Sequence, residues 1–562
     1  MNWQSEKKQR KIFLLVSIMI VTWTVNSQAI IIRSKGTNRQ YRQGDWITYT
    51  TTRFVRNIAL GQEYVYFATT GGITRYNFYS NTWDYPWTVS NGLPDNNIFL
   101  VAQDFNTGYL WCTTESSISY LESASRLWFN TFYDEIGLRG DDDISSIGFG
   151  NGRVFIVSSN GTWYASDNYS ANFSPIDFSQ NDDGITWYGA KRKREDAIPH
   201  YFMSDGFLFD ETQNYIDDLQ FRHFPITTWL KDEWQNMWIG TWGLGAGRGN
   251  TSTQRLELLK FGLWDVTVDA IAKDDDRFWL GGIQSHEEPS GITNWDMQSD
   301  DPQYYEAYLL TGFDTDKVTS IAVDGNTVWL GTLDGLTRFD RGKNIWRTYT
   351  VVHNLVDNRI SDLAVDDEYL WIGTASGVSK LVKSTVGTDS LSIKHIQFHQ
   401  LGKRQIFDID LAENELWVGT EIGLFRYDIE KDHGAYYSSY VDPAARPVYA
   451  LSLYGDELWY GTDEGVAGFN VKTGKRFDPP ARFINDDLEI NRILADRAAV
   501  WVATNSGVYK YDRDAGRWVN FTIEDGLTSN NVYALYLESD FIWFGTGAGL
   551  TKFYWNSPYR ID

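Results

Sequence analysis

Apolar and polar residues alternate in short runs along nearly the whole chain, and this period of two predicts β-strands. One unit reads cleanly. Ile360-Ser361-Asp362-Leu363-Ala364-Val365 is an alternating first strand, and Asp366-Asp367-Glu368 turns it into a second at Tyr369–Thr374. Ala375-Ser376-Gly377 is the next turn, with a third strand over 378–381. Better-formed units add a fourth, such as Ile345-Trp346-Arg347-Thr348-Tyr349-Thr350. The second strand carries a recurring phrase, cleanest as Leu370-Trp371-Ile372-Gly373-Thr374 and Leu416-Trp417-Val418-Gly419-Thr420. Its aromatic falls at Tyr66, Trp111, Phe155, Phe202, Trp238, Trp279, Trp329, Trp371, Trp417, Trp459, Trp501 and Trp543. The gaps run from 36 to 50 residues, with 42 the commonest. Four antiparallel strands repeated at that period predict an all-β fold, a β-propeller of about twelve four-stranded blades.

The phrase has physical work to do in a blade. Its Trp can fill the space between adjacent twisted blades, its Gly lets neighbouring backbone approach, and its Thr hydroxyl can satisfy the turn. Trp46, Trp83, Trp128, Trp346 and Trp518 recur at the start of fourth strands and are read as core. A lone fourth-type strand opens the repeat region at Trp46-Ile47-Thr48-Tyr49-Thr50, and a third-type strand ends it at Gly549-Leu550-Thr551-Lys552-Phe553. Joining the two ends in one blade would seal a ring. Rings usually carry four to eight blades, so two are expected. The longest gap, and the polar stretch 297–303, favour six plus six blades, with domains at 45–300 and 301–562. Five plus seven is the alternative, because the unit around Phe202 is degenerate.

Composition adds compartment and charge. Lys7, Lys8, Arg10 and Lys11 precede an apolar run of 14 residues, and Ser27-Gln28-Ala29 offers small residues for cleavage. Residues 1–29 are therefore expected to be a signal peptide, and the mature chain to be exported, periplasmic or extracellular, with no membrane span. The net charge is −24, and removing four positive and one negative charges takes it to −27. Such a surface repels nucleic acid, so no nucleic-acid partner is expected. The single cysteine, Cys112, reads as a packed thiol.

Candidate binding residues come from the loops that geometry places at a propeller mouth. Polar pairs precede several first strands, among them Asn358/Arg359, Arg404/Gln405 and Asn530/Asn531. By alignment Trp264 stands at the same rim. Two loops after second strands look long: Trp242 to Gln254, which includes Arg248, and Gln284 to Ser290, which includes His286 and Glu287. An aromatic flanked by Arg and amide side chains suits a sugar. Asp104-x-Asn106-x-Gly108 reads as a turn, and Lys191–Arg194 as a solvated hairpin. No catalytic residue, metal or cofactor is expected.

Leu-Trp-x-Gly-Thr, the following Gly-Leu-x-Arg/Lys-aromatic-Asp and the Gly-Leu-x-x-Asn-x-Ile/Val phrase together resemble the two-component regulator propeller repeats. These occur in the sensor half of bacterial hybrid histidine kinases and in related secreted double propellers. The resemblance covers residues 45–555. It implies sensing of glycan fragments or a secreted interaction module, carried on scaffold motifs that transfer no site. The chain ends on a blade, without the kinase, spacer or C-terminal β-sandwich of such proteins, so signalling within one polypeptide is not expected. The expected function is a non-catalytic binding module for a glycan or peptide ligand or an envelope partner such as a separate sensor. The alternatives are a structural or assembly scaffold of the cell envelope, or a glycan-active hydrolase or lyase.

Overall fold

The computed structural model describes residues 31–33, 39–138, 142–167, 171–177, 184–193, 197–204, 206–283, 291–388, 391–396, 401, 403–437, 446–477 and 488–560. The expected signal peptide lies outside these residues. No helix among them is long and apolar enough to cross a membrane. The fold is a multi-blade β-propeller. Eleven sheets of four or more strands form among the described residues, at 55–87, 100–132, 144–189, 202–259, 270–305, 318–349, 360–395, 406–436, 450–477, 490–521 and 532–554. They are numbered one to eleven below. The polar stretch expected as a crossover instead contributes Asp301–Tyr305, the outer strand of sheet five.

The recurring phrase does what its chemistry suggests. Nine of its aromatics are Trp, and each is at most 3% exposed. Each fills a seam. Trp371 of sheet seven packs with Ile406, Leu416 and Phe425 of sheet eight, and Trp417 of sheet eight packs with Leu451 and Leu458 of sheet nine. Thr69, Thr332, Thr374, Thr420, Thr504 and Thr546 each donate Oγ1–H to the carbonyl three residues on, at 2.7–2.8 Å. The chain ends seal as expected. Trp46–Tyr49 pairs antiparallel with Gly549–Tyr554, and the Trp46 and Phe553 rings stack at 3.9 Å.

The inner strands show how the sheets associate. Ala270–Asp274, Val318–Asp324, Ile360–Val365, Ile406–Ala412, Ala450–Tyr454, Ile490–Ala495 and Val532–Glu538 each pack on the next, and the last packs on the first. That circuit contains seven sheets, the count that the five-plus-seven alternative gives its second ring. Sheets four, one, two and three pack in that order through His223–Lys231, Val55–Leu60, Leu100–Gln103 and Thr186–Gly189. The unit expected around Phe202 makes no sheet of its own. Phe202 is 62% exposed, and Phe202–Met203 pairs in parallel with Arg255–Leu259 of sheet four. The hairpin of Leu208–Asp210 and Tyr215–Asp217 extends the same sheet at its other edge. Without the Trp and the Gly-Thr pair, the unit has neither wedge nor close seam, and its strands join a neighbour. From this packing we propose domains at 55–259 and 270–554, the second completed by Trp46–Tyr49, in place of a division at residue 300.

A polar centre holds the seven-sheet ring. Asp362 and Asp408 are 6% and 2% exposed. Arg492 reaches them from sheet ten, with Nη1 2.5 Å from Asp408 Oδ1 and 3.2 Å from Asp362 Oδ2. Burial pushes the Asp408 carboxyl well above its usual range despite Arg492, whereas the guanidinium and a Ser320 hydroxyl hold Asp362 below it.

The two groups of sheets meet where segments 50–54 and 260–266 run side by side. Leu263 N–H donates to Thr50 O at 2.9 Å, and Thr52 Oγ1–H to Phe261 O at 2.9 Å. Arg222 adds an ion pair across the junction, with Nη1 2.7 Å from Glu306 Oε2 and Nε 2.6 Å from Asp218 Oδ2. Asp265 lies buried in this junction, and burial pushes its carboxyl up to about 7.

Two outcomes follow for stability. Arg492→Met leaves two buried carboxylates without their cation and is expected to cost about 3–5 kcal/mol, with partial recovery in the double variant carrying Asp408→Asn. Urea unfolding checks it, and an unchanged midpoint would refute the role of the triad. Asp265 is protonated in the folded chain and ionised in the unfolded one between its ordinary value of 3.8 and about 7. Its contribution is therefore complete below that interval and lost as pH rises through it. Asp265→Asn should melt progressively higher than wild type from pH 5 to pH 8; melting curves that stay parallel with pH would contradict this.

Candidate functional site

The mouth of the first propeller is built where its inner strands begin. In seven sheets the inner strand carries a β-bulge, an unpaired residue whose side chain is re-aimed. The scaffold mostly uses a small polar residue there. Thr227 donates its hydroxyl hydrogen to Val55 O and Gly240 O, at 2.6 and 3.0 Å, tying sheet four to sheet one. Thr319 does the same between sheets six and seven. In sheet one the bulge residue is Arg56, between Val55 and Asn57.

Arg56 faces a cavity of about 650 Å³. Its guanidinium lies over the Phe99 ring at 4.3 Å and over the Trp242 ring at 5.5 Å. Its Nε is buried without a hydrogen-bond acceptor, and burial lowers the affinity of the group for its proton. Arg192, Lys193, Asn57, Gln213, Asn214 and Trp229 share the lining. The 189–193 segment is held in place by its backbone and by stacking. Ala190 N–H donates to Ser145 O and Lys191 N–H to Ser146 Oγ, both at 3.0 Å, and Lys191 Nζ sits 4.3 Å from the Trp163 ring. Asn57 is anchored by accepting Val101 N–H at 3.1 Å. The result is an open hollow with cations, amides and an aromatic wall, equipped to hold a polar ligand by stacking and directed hydrogen bonds.

The residues expected from sequence are distributed unevenly around this hollow. Trp242 adjoins it through Arg56 and does not itself line it: it is 37% exposed, packed on Phe54 at 5.1 Å and under Arg56. Arg248 does neither. The stretch 242–254 holds a strand, Ala246–Asn250, so the connecting loop is only 242–245. Its glycine richness has a packing cause, because a Cβ on Gly249 would meet the Tyr201 ring at 2.7 Å. Arg248 instead joins sheets, with Nη2 2.6 Å from Glu257 Oε1 and Nη1 2.5 Å from Asn81 Oδ1.

Trp264 is 8% exposed in the junction, packed on Tyr304 at 4.9 Å and under Arg53 at 4.4 Å. It lines a smaller cavity of about 240 Å³ there. His286 and Glu287 lie outside the described residues.

Asn358, Arg359, Arg404, Asn530 and Asn531 precede inner strands of the second ring. Asn358 and Asn530 fold their own loops by accepting Val351 N–H at 2.8 Å and Ile523 N–H at 3.0 Å. Arg359 and Arg404 are exposed and face Asp357 and Glu421, at 3.5 and 3.3 Å. Asn531 is exposed, and its backbone carbonyl accepts Gly547 N–H at 3.0 Å. Asp104 forms the expected turn, accepting Asn106 N–H and Thr107 Oγ1–H. Cys112 is buried, and burial pushes its thiol up.

Arg56, Arg192, Lys193 and Trp229 are missing from the residues expected at a site. Arg56 carried a usable signal: a long cation at the place where sister units have Thr227 and Thr319. Arg192 and Lys193 line the cavity from a turn in which Lys193 is exposed.

No family model and no curated protein matches the chain. Among solved structures it is similar to PorZ of Porphyromonas gingivalis, described as an essential bacterial surface component of the type-IX secretion system. The identity is 15%, over 91% of this chain and 87% of that one, with a TM-score of 0.59. It is also similar to the extracellular domains of two hybrid two-component systems of B. thetaiotaomicron. One shows 16% identity over 93% and 81% of the two chains at a TM-score of 0.42, the other 15% over 94% and 73% at 0.44. The likeness to PorZ at this identity shows the fold, a β-propeller.

Proposed function

We propose that this protein is an exported, non-catalytic β-propeller binding module, periplasmic or extracellular, whose first propeller takes a glycan or peptide ligand at its mouth. The observation that carries the reading is the cavity of about 650 Å³ into which Arg56, Asn57, Gln213, Asn214 and Trp229 converge. Its size falls within the about 300–1,000 Å³ of small-ligand sites, and the Trp229 ring stands beside amide and guanidinium groups. The apolar run at residues 12–25 and the extracellular setting of the two-component neighbours support export. A separate envelope sensor is the partner this reading favours.

One observation favours a second reading, an assembly scaffold of the cell envelope. Phe202, Leu208, Leu219 and Phe221 are 62–76% exposed around the strands of the degenerate unit, and exposed apolar groups of this kind mark docking surfaces.

Glycan and peptide arrays probed with the purified protein separate the two. A retained ligand should weaken roughly three- to tenfold in Trp242→Ala and in Trp229→Ala, the worth of one aromatic contact. A ligand held equally well by both variants would sink the mouth as its site. Capture of envelope proteins that survives these changes, and is lost in Leu219→Ser/Phe221→Ser, would favour the scaffold.

A further inference from the structure

We propose that the mouth of the first propeller recognises an oxyanion, a carboxylate, sulfate or phosphate borne on a saccharide. This rests on the binding reading above and names the chemistry of its ligand. Three of the lining residues, Arg56, Arg192 and Lys193, are cationic, and none of the lining residues among those described is Asp or Glu. The chain as a whole has 74 acidic residues against 50 Lys and Arg, so a lining drawn at random from it would carry more acids than cations. Charge of one sign in a recess, set in a surface of the other sign, focuses potential on that recess.

Arg56 makes the strongest case. It is fixed by two aromatic faces, and its Nε is buried with no acceptor. A partly desolvated guanidinium of this kind matches the two oxygens of a carboxylate or sulfate, or two of phosphate. The second ring provides the control within the same chain. There the guanidinium of Arg492 meets the buried Asp362 and Asp408. In the first propeller Asn57 and Thr228 follow their bulges at the place of Asp362 and Asp408. They are neutral. The charge that compensates Arg492 from within is left, at Arg56, for a ligand to supply.

Titration calorimetry on the purified protein tests this with four probes: oligogalacturonate, a sulfated disaccharide, a neutral oligosaccharide of matched length, and inorganic sulfate or phosphate. The acidic saccharides are expected to bind, more weakly as salt rises. Loss of one charge-assisted fork in Arg56→Gln should weaken them roughly ten- to a hundredfold. Arg56→Lys, which keeps the charge and loses the fork, should fall between, and Arg192→Gln/Lys193→Gln should also weaken them. Circular dichroism and melting confirm that each variant is folded.

Competition by inorganic sulfate or phosphate would show that the oxyanion alone is held; binding of the acidic saccharide only would show that the sugar is read as well. Both uphold the proposal. A neutral oligosaccharide bound as tightly as the acidic ones, with Arg56→Gln at wild-type affinity but Trp242→Ala impaired, would overturn the oxyanion and leave the binding reading standing. Failure of every charged probe would overturn the oxyanion too, and an array ligand indifferent to both Trp242 and Arg56 would remove the site itself.

Discussion

The structure depends on how closely one sheet can approach the next at the second-strand glycine. A Cβ on Gly331 would come within 2.7 Å of Ile360 Cγ2, and one on Gly461 within 2.8 Å of Ile490 Cγ2. In both cases the neighbour is the first apolar residue of the next sheet's inner strand. Any side chain at these positions would push the sheets apart and open the gap that the preceding Trp fills. Once the approach is made, a polar side chain two residues into the inner strand can reach the following sheet. Ser320, Asp362 and Asp408 accept the backbone N–H of Leu363, Ile409 and Leu451, at 3.2, 3.2 and 2.8 Å. Asn57 does so for Val101 in the first propeller. The seam is thus apolar outside, hydrogen-bonded inside, and repeated from sheet to sheet.

Because every seam uses the same inner position, the identity of that residue decides what each propeller has at its centre. Two carboxylates there draw Arg492 across the second ring and fill its axis with a paired cluster. A lone buried cation or two unpaired carboxylates would each be costly, whereas the cluster satisfies itself. The first propeller has an amide, Asn57, and a hydroxyl, Thr228, at the same level, which cost less to desolvate and leave the axis open. The absence of a regular sheet between the third and fourth works in the same direction. Residues 189–193 after sheet three, and the 213–214 turn of the degenerate unit, come to line the opening. A weakened repeat and a neutral inner position together make the hollow.

The architecture was legible because the repeat is redundant. Trp371, Gly373 and Thr374 each report the same local geometry, and five sister copies repeat all three residues while others keep one or two, so one misread unit changes only the count. The chain closure was legible for a similar reason, since Trp46 and Phe553 stand where a fourth and a third strand must meet. The candidate site was read far less well. Trp242 emerged because an aromatic in a turn is conspicuous. Arg248 misled because glycine beside arginine looks like a loop, although Gly249 is small to admit Tyr201. Trp264 misled because rim alignment says nothing about a second body packed on that rim. Asn358 and Asn530 recur before inner strands for a local reason, loop closure, which imitates the spacing of a binding face.

Arg56 shows what kind of signal remains once the scaffold is subtracted. At a bulge the backbone demands only a residue that tolerates being unpaired, and Thr227 and Thr319 use the position to stitch neighbouring sheets. An arginine there contributes no such stitch to the carbonyls around it. Its charge is partly desolvated, an unfavourable term in the folded chain that the Phe99 and Trp242 faces offset only in part. Repeat proteins keep many residues for seam and turn, so the informative positions are those where one copy bears a cost that its sisters avoid. On that criterion the first propeller's mouth, where Arg56 bears a desolvation cost inside an acidic chain, is where we place the proposed site.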